Sequence, residues 1–270
     1  MILWLASYPK SGNTWIRLLI THYFSHSENL FENINKIDSF PNKKQFYQII
    51  DENSLKKEPL KLFEYFIEAQ KKINTNKKLN ILKTHNFGGS IRGNEFTNKD
   101  NTCGLIYIVR DPRSVAVSYA YHANVSFEDS VDLILNENRL TYDQTKMYPE
   151  ARLSWNVNLV SWLNTPYPKL LIKYEQLKLN TFKEFKSILL FLNKFTKFEI
   201  DDQKIDKVIK DCSFENLTNL EKKIGFKEKF GKVNFFRKGE SDEWKKELSA
   251  DLVKKIEKKF SSEMKDLGYL

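Results

Sequence analysis

The first 24 residues constrain the fold most strongly, because they predict a strand, a polar loop and a helix in that order. The run from Ile2 to Ser7 is apolar enough for a buried strand and stops at Tyr8-Pro9. From Thr14 to Phe24, apolar side chains recur at helical spacing. A strand that passes through a loop into a helix is typical of the first unit of an α/β fold.

Three further apolar runs predict strands: Leu79 to Lys83, Leu105 to Val109 and Lys169 to Ile172. The run from Leu105 is continuously apolar, as in strands that are buried on both faces of a parallel sheet. Helical patterns lie between the strands. We therefore expect a single α/β domain with a mostly parallel central sheet and helices on both faces, and 270 residues suffice for it.

Helix boundaries are predicted from apolar spacing and from capping residues. Asp111 can cap, and Pro112 can open, a helix directly after the third strand. Apolar spacing indicates two helices within 41–74, and further helices over 126–137, 150–164, 182–192 and about 242–266.

Composition leaves the partner open. The formal net charge of +9 fits a nucleic acid, an anionic membrane surface, an acidic substrate or a phosphorylated cofactor equally well. Cys103 and Cys212 lie far apart and belong to no Cys/His cluster, so we expect neither a disulfide framework nor a zinc site. The N-terminal apolar run is too short for a signal sequence, and no stretch approaches the ~20 apolar residues of a membrane span. We expect a cytoplasmic location.

The loop after the first strand has the composition of a phosphate site. It reads Ser7-Tyr-Pro-Lys-Ser-Gly-Asn-Thr-Trp15. Its backbone N–H groups and the helix N-terminus can enclose a phosphate, with Lys10 as a point charge. The lysine precedes the glycine, so the loop differs from the GxxxxGK[ST] pattern of nucleotide triphosphatases.

This loop resembles the 5′-phosphosulfate loop of cytosolic sulfotransferases that use 3′-phosphoadenosine 5′-phosphosulfate (PAPS), usually Tyr-Pro-Lys-Ser-Gly-Thr-Thr-Trp. Only Asn13 departs from that pattern. The resemblance implies a fold like that of the P-loop nucleotide triphosphatases, in-line transfer of a sulfuryl group to a hydroxyl or amine, and release of adenosine 3′,5′-bisphosphate (PAP). No metal ion is implied, because lysines and backbone amides take the role of Mg²⁺. The resemblance assigns cofactor contacts to Lys10, Ser11, Gly12, Asn13, Thr14 and Trp15.

A second segment, Ile108-Val-Arg-Asp-Pro-Arg-Ser-Val-Ala-Val-Ser118, matches the 3′-phosphate segment of the same family. Its Arg110 and Ser118 are eight residues apart. If Asp111 caps the helix, Ser118 lies about two turns along it, so the hydroxyl and the guanidinium can converge on one phosphate.

A third segment, Phe235-Phe-Arg-Lys-Gly-Glu-Ser-Asp-Glu-Trp-Lys245, is similar to the family's Arg-Lys-Gly-x-x-Gly-Asp-Trp-Lys. By this resemblance, Arg237, Lys238 and the Gly239 amide complete the 3′-phosphate clamp. Asp242 and Glu243 replace the usual Gly-Asp, which adds negative charge close to the predicted phosphate site.

The candidate base is His85, in Leu82-Lys-Thr-His85 after the second strand. Sulfuryl transfer to a hydroxyl needs a base whose pKa lies near the working pH, and a histidine in Lys-Thr-His has this role in the family. Lys83 and Lys10 are expected to stabilise the transferring group together. The other histidines compete poorly by position: His22 lies within the first helix, His26 follows it, and His122 ends the Arg-Asp-Pro helix.

Aromatic side chains are expected around the adenine. Trp15, Tyr174 and Phe214 occupy family-like positions, with Ser213 nearby. For Trp15 and Phe214, core packing explains the residue type equally well.

The resemblance covers residues 1–25, 79–122, 169–178 and 211–245, the expected cofactor half of one domain spanning 1–270. Residues 26–78 and 123–168 are then expected to form the acceptor pocket and its cover, for a small molecule, a sugar or a lipid. One alternative is a P-loop kinase of small molecules, which needs Mg²⁺ and ATP. Another is a basic nucleic-acid-binding protein, but the aromatic residues have core-like spacing, so no nucleic acid is expected.

Overall fold

The central sheet contains four strands in the order β2-β1-β5-β8, and each neighbouring pair is parallel. The computed structural model describes residues 1–25, 29–46, 48–141, 148–229 and 233–270. The strands are β1 (Ile2–Ser7), β2 (Asn80–Thr84), β3 (Ser90–Ile91), β4 (Asn94–Glu95), β5 (Thr102–Val109), β6 (Leu140–Thr141), β7 (Glu150–Ala151) and β8 (Lys169–Lys173).

Helices connect and flank these strands. Among the described residues, no helix combines the length and the apolar composition needed to cross a membrane. In the described ranges, 3-10 helices span Ile34–Lys36 and Pro59–Tyr65. The α-helices are α1 (Asn13–Phe24), α2 (Leu30–Asn33), α3 (Lys43–Phe46), α4 (Glu52–Lys57), α5 (Phe66–Asn74), α6 (Pro112–Ala123), α7 (Phe127–Leu135), α8 (Trp155–Leu163), α9 (Tyr174–Leu179), α10 (Thr181–Leu192), α11 (Asp202–Asp211), α12 (Phe214–Ile224), α13 (Trp244–Glu247), α14 (Ala250–Lys259) and α15 (Ser261–Asp266).

Both faces of the sheet are buried, because the side chains of a strand alternate between its two sides. On β1, Trp4 and Ala6 pack into a core with residues of α5 to α8, α14 and α15. Leu3 and Leu5 pack on the opposite face with residues of α1 and α9 to α12. The prediction of one α/β domain with a parallel sheet covered on both faces is confirmed.

Three helix predictions were wrong in extent. The segment 41–74 is divided into α3, α4, a 3-10 helix and α5, because Asp51 caps α4 and Pro59 starts the 3-10 helix. The expected closing helix is broken into α13, α14 and α15, with Ser249 capping α14.

The third error concerns residues 150–154, which we expected to be helical. Glu150 and Ala151 instead pair with β6 in an antiparallel ladder. Leu153 has a φ of 55°, which a continuing right-handed helix does not allow. The helix α8 therefore begins only after Ser154, at Trp155.

The four parallel strands end at the same edge of the sheet, which is where ligands bind in open α/β folds. β1 leads into the phosphate-type loop, β2 into His85 and β5 into Arg110. β8 leads directly into Tyr174, the first residue of α9. The sheet thus brings the predicted segments to one edge.

Candidate functional site

The loop between β1 and α1 is tied to its own strand by Asn13. The side-chain amide of Asn13 donates to the Leu5 carbonyl at 3.1 Å and to the Ser7 hydroxyl at 3.2 Å. Lys10 and Gly12 have φ angles of 69° and 103°, in the left-handed region that favours glycine. The Asn13 side chain therefore points into the protein and shapes the loop from within.

Arg110 joins the loop to the C-terminal segment. Its Nη1 donates to the Lys10 carbonyl at 3.2 Å, and its Nη2 donates to the Glu240 carbonyl at 2.7 Å. The guanidinium also lies over the ring of Tyr174, 4.3 Å from its centroid. Three segments that are distant in sequence therefore meet at one buried arginine.

Aromatic rings pack directly on two glycines of the site. A Cβ on Gly12 would lie 2.6 Å from the Tyr174 ring, and a Cβ on Gly239 would lie 2.8 Å from the Phe214 ring. The Tyr174 hydroxyl donates to the Gly239 carbonyl at 3.2 Å. Trp15 meets Tyr174 edge to face, with ring centroids 6.1 Å apart. Any side chain at either glycine would displace a ring, so both positions require glycine.

The start of α12 is joined to this aromatic group through Trp15. Its indole N–H donates to the Cys212 carbonyl at 3.0 Å. The next residue, Ser213, caps α12, and its hydroxyl accepts from the Asn216 N–H at 3.4 Å. Ser213 therefore lies near Trp15, while its hydroxyl serves the helix.

Lys10 carries a positive charge that is costly to bury. Its Nζ lies 4.2 Å from the centroid of the Phe235 ring. Burial, followed by the positive charges of Arg110 and Arg237, lowers the pKa of Lys10 to about 7. An anion that approaches this ammonium relieves the repulsion and raises its pKa again.

We expect kcat/KM for the donor to fall as the pH rises from 7 to 9, because the free protein loses the Lys10 proton in that range. Arginine keeps its charge at these pH values. The kcat/KM of Lys10→Arg should therefore change little between pH 7 and 9, even if the variant is slower than the unaltered protein. Steady-state kinetics of both proteins test this. An equal decline in both would assign the pH dependence to another group.

Arg237 and Lys238 are both bound to Glu243. Arg237 Nη1 donates to Glu243 Oε1 at 2.6 Å, its Nη2 donates to Oε2, and Lys238 Nζ lies 2.8 Å from Oε1. Burial alone would raise the pKa of Glu243, but these two cations lower it. The Arg237 guanidinium also lies 3.9 Å from the Tyr121 ring centroid, one turn beyond the half-buried Ser118 on α6. The predicted clamp residues are thus together, but with a carboxylate between them.

If Arg237 and Lys238 bind a 3′-phosphate, as the family resemblance implies, the phosphate would share them with this carboxylate. We then expect Glu243→Gln to tighten the binding of PAP by about 3- to 10-fold. Asp242→Asn is the matched control, since Asp242 is exposed and pairs with Lys245. Calorimetry with PAP measures both variants. Weaker binding by Glu243→Gln would mean that Glu243 orients Arg237 instead of competing for it.

His85 is held in one orientation and one tautomer. Its Nδ1 lies 2.8 Å from the Ser7 carbonyl, which can only accept, so Nδ1 carries the proton. Burial, together with the positive charges of Lys83 and Arg152, lowers the pKa of His85 well below its usual range. Burial also lowers the pKa of Lys83. His85 is therefore a neutral imidazole whose Nε2 lone pair can accept a proton.

The other described histidines have different surroundings. His22 Nε2 lies 2.9 Å from Asp211 Oδ2. The ring of His122 meets Phe235 edge to face at 5.9 Å, and burial lowers its pKa to about 4, helped by the charge of Lys10. His26 lies outside the described residues.

Sequence reasoning missed a buried ion pair at the loop. Arg17 is 3% exposed and pairs with Glu228, which also accepts a hydrogen bond from the Thr14 hydroxyl at 2.9 Å. Burial alone would raise the pKa of Glu228, but Arg17 and Lys83 lower it. Arg17 could have been noticed in the sequence, because it is a charged residue on the otherwise apolar, buried side of α1, one turn after Asn13. The polar stretch around Glu228 gives no indication that Glu228 is its partner.

The loop retains polar groups that a phosphorylated ligand can satisfy. Within the described residues, Ser11 Oγ, Asn13 Oδ1 and Arg110 Nε are buried and have no hydrogen-bond partner. Such groups cost free energy unless they are paired. Two of the three atoms can donate to phosphate oxygens, and Lys10 adds a cation, so this donor set fits a phosphate group.

Comparisons with known proteins identify the family of this chain. A family profile described as the sulfotransferase domain matches residues 2–268. "Cytosolic sulfotransferase 8" of Arabidopsis thaliana is 27% identical over 260 residues, covering 94% of this chain and 73% of the relative. "Flavonol 3-sulfotransferase" of Flaveria bidentis is 26% identical over 274 residues, covering 94% and 78%. The crystal structure of mouse sulfotransferase SULT7A1 complexed with PAP superimposes with a TM-score of 0.65 at 21% identity, covering 99% of this chain and 86% of that one.

Proposed function

The chain belongs to the sulfotransferase family, and we propose from this premise that it transfers the sulfuryl group of PAPS to a hydroxyl or amine of an acceptor. The observation that carries the proposal is the meeting of three segments at Arg110, which bonds to the Lys10 and Glu240 carbonyls and stacks on Tyr174. These segments are the ones expected to hold the two phosphate ends of the donor.

The donor would be held from both ends. Ser11, Gly12, Thr14 and Lys10 would contact the 5′-phosphosulfate at the start of α1, where N–H groups point outward. Arg110, Ser118 and the Arg237-Lys238-Gly239 segment would contact the 3′-phosphate. The adenine would lie among Trp15, Tyr174 and Phe214, close to Ser213. When bound, PAPS supplies the activated sulfuryl group.

His85 would act as the base. Its Nε2 accepts the proton of the acceptor hydroxyl as the new sulfur–oxygen bond forms, while Nδ1 stays bonded to the Ser7 carbonyl. The neighbouring Lys83 stabilises the negative charge of the sulfuryl oxygens. The lowered pKa differs from the value near the working pH that the sequence led us to expect, and its cause is the burial of His85 beside Lys83 and Arg152. The imidazole is therefore neutral and available throughout the usual assay range, but it is a weaker base.

Lys10 would neutralise the charge that develops on the 5′-phosphate oxygen as the old sulfur–oxygen bond breaks. This charge is larger in the transition state than in the ground state, so Lys10 favours turnover more than binding. An in-line arrangement follows if the acceptor hydroxyl enters on the His85 side and the nucleotide leaves on the Lys10 side.

The names of the relatives, cytosolic sulfotransferases, support a cytoplasmic location.

A thermal-shift comparison of PAP, adenosine 5′-monophosphate (AMP) and ATP with Mg²⁺ tests the proposal. A ligand at 100 times its dissociation constant stabilises the folded protein by about 2.7 kcal/mol, which is a shift of several degrees for a chain of this size. We expect this shift with PAP and a much smaller one with AMP. Stabilisation by ATP and Mg²⁺ alone would instead support a kinase.

A further inference from the structure

A buried arginine beside the site is hydrogen-bonded to two tyrosine hydroxyls. Arg139 is 6% exposed. Its Nη1 donates to the Tyr8 hydroxyl at 3.0 Å, and its Nη2 donates to the Tyr119 hydroxyl. Burial raises the pKa of Tyr8 although Arg139 opposes this, so the Tyr8 phenol is neutral. Across the part of the chain that the structure describes, no carboxylate forms an ion pair with Arg139.

Arg139 lies next to a second buried arginine. The N–H of Arg152 donates to the Arg139 carbonyl at 3.1 Å, at the end of the ladder between β6 and β7. Arg152 is 8% exposed, and its guanidinium pairs with Glu150, with distances of 2.8 Å and 2.6 Å to Oε2. Arg152 therefore has a carboxylate within ion-pair distance, whereas among the described residues Arg139 acts on Glu150 only at longer range.

One side chain links this pair of arginines to the candidate base. The amide nitrogen of Asn158 donates both to the His85 carbonyl at 3.0 Å and to the Arg152 carbonyl at 2.9 Å. The Asn158 amide oxygen accepts from the Tyr107 hydroxyl at 2.9 Å, which fixes the amide in place. The segment that carries Arg139 and Arg152 is thus anchored against the backbone of His85.

The surroundings of His85 consequently carry excess positive charge. Among the described residues, the four cations Arg17, Lys83, Arg139 and Arg152 share two carboxylates, Glu150 and Glu228. Arg17 is paired with Glu228. Lys83 is assigned to the sulfuryl group, and Arg152 is paired with Glu150. Buried arginines are normally paired, because an isolated buried charge is costly. The remaining cation is Arg139.

We propose that the acceptor carries a carboxylate, which Arg139 binds while the acceptor hydroxyl faces His85. The planar guanidinium fork matches a carboxylate in geometry as well as in charge, which makes an arginine at this place selective. The inference rests on the proposed function and narrows its acceptor to a hydroxylated acid, whether an aromatic acid or a uronic acid.

Matched pairs of acceptors test the proposal with PAPS as donor. The pairs are 4-hydroxybenzoate with its methyl ester, and methyl glucuronide with methyl glucoside; PAP release gives kcat/KM, and calorimetry on the PAP complex gives affinity. In at least one pair, we expect the acid to be preferred by about 10-fold or more in rate or affinity. If no acid is preferred in either readout, the proposal is wrong.

Variants then assign the preference to Arg139. Arg139→Met should reduce it to below about 2-fold, and Arg139→Lys should retain part of it. Arg92→Met is the control, because Arg92 is 61% exposed and lies 3.9 Å from the exposed Glu58. A preference that survives Arg139→Met would overturn the assignment.

PAP affinity within twofold of the unaltered protein shows that a variant is folded. If Arg139→Met does not fold by this criterion, Arg139→Gln replaces it. If PAP itself does not bind the unaltered protein, the proposed function fails, and the acceptor inference falls with it.

Discussion

Replacing His85 by asparagine should lower the rate of sulfuryl transfer by about 10²- to 10⁴-fold and leave PAP affinity within about twofold. The asparagine amide can still donate to the Ser7 carbonyl, which His85 Nδ1 contacts at 2.8 Å. It offers no basic nitrogen in place of Nε2. The change therefore removes the proton acceptor and preserves the local hydrogen bond. Single-turnover PAP release measures the rate, and calorimetry measures the affinity.

His22→Asn is the matched control for this variant. His22 is also half-buried and hydrogen-bonded, but its partner is Asp211 at 2.9 Å, at the end of α11. We expect its transfer rate to stay within threefold of the unaltered protein. Transfer near the normal rate by His85→Asn would remove His85 from the role of base.

Lys10→Met should lower kcat by about 10²- to 10³-fold and weaken donor binding much less. Methionine keeps the apolar contact with Phe235, whose ring centroid lies 4.2 Å from the Lys10 ammonium. It supplies no charge to the breaking bond.

Lys10→Met also removes a buried cation whose pKa is lowered to about 7, so the melting temperature at pH 6 should rise by a few degrees.

The sign of that stability effect follows from linkage. Below pH 7, Lys10 is charged in the folded and the unfolded chain, and the folded chain bears the full cost of burying the charge. As the pH rises towards 10, the folded state loses the proton first, so the cost declines and the advantage of Lys10→Met should shrink. Lys245→Met, at an exposed position, is the control. Unchanged turnover by Lys10→Met would contradict the role of Lys10 in the transition state.

The four strands of the central sheet could be predicted because each is a short apolar run that ends at a polar residue, whereas the two-residue strands β3, β4, β6 and β7 have no such pattern. The pattern of Ile2–Ser7 coincides with β1, and Lys169 starts β8 as expected. The first and last residues of the helices within 41–74 and 242–266 could not be predicted from the sequence. Their ends are set by capping at Asp51 and Ser249 and by the contacts of the turns, which apolar spacing does not record.

The segments of the site could be predicted because their residues are contiguous and follow strands. The ion pairs between those segments could not, because Arg17 and Glu228 are joined only by the folded chain. The same holds for Arg139, which looks like an ordinary loop arginine in the sequence. Its burial and its tyrosine partners appear only when β6, the β1 loop and α6 are packed together.

We expect Arg110 to help bind the 3′-phosphate of a doubly phosphorylated adenosine where three segments of the chain meet. Calorimetry of the unaltered protein and of Arg110→Ala with PAP and with AMP tests it, because AMP lacks only that phosphate. We predict that the unaltered protein binds PAP at least about 100-fold more tightly than AMP, and that Arg110→Ala loses most of this difference while its AMP affinity changes little. Equal loss of affinity for both nucleotides, or unchanged binding of PAP by Arg110→Ala, would contradict the claim.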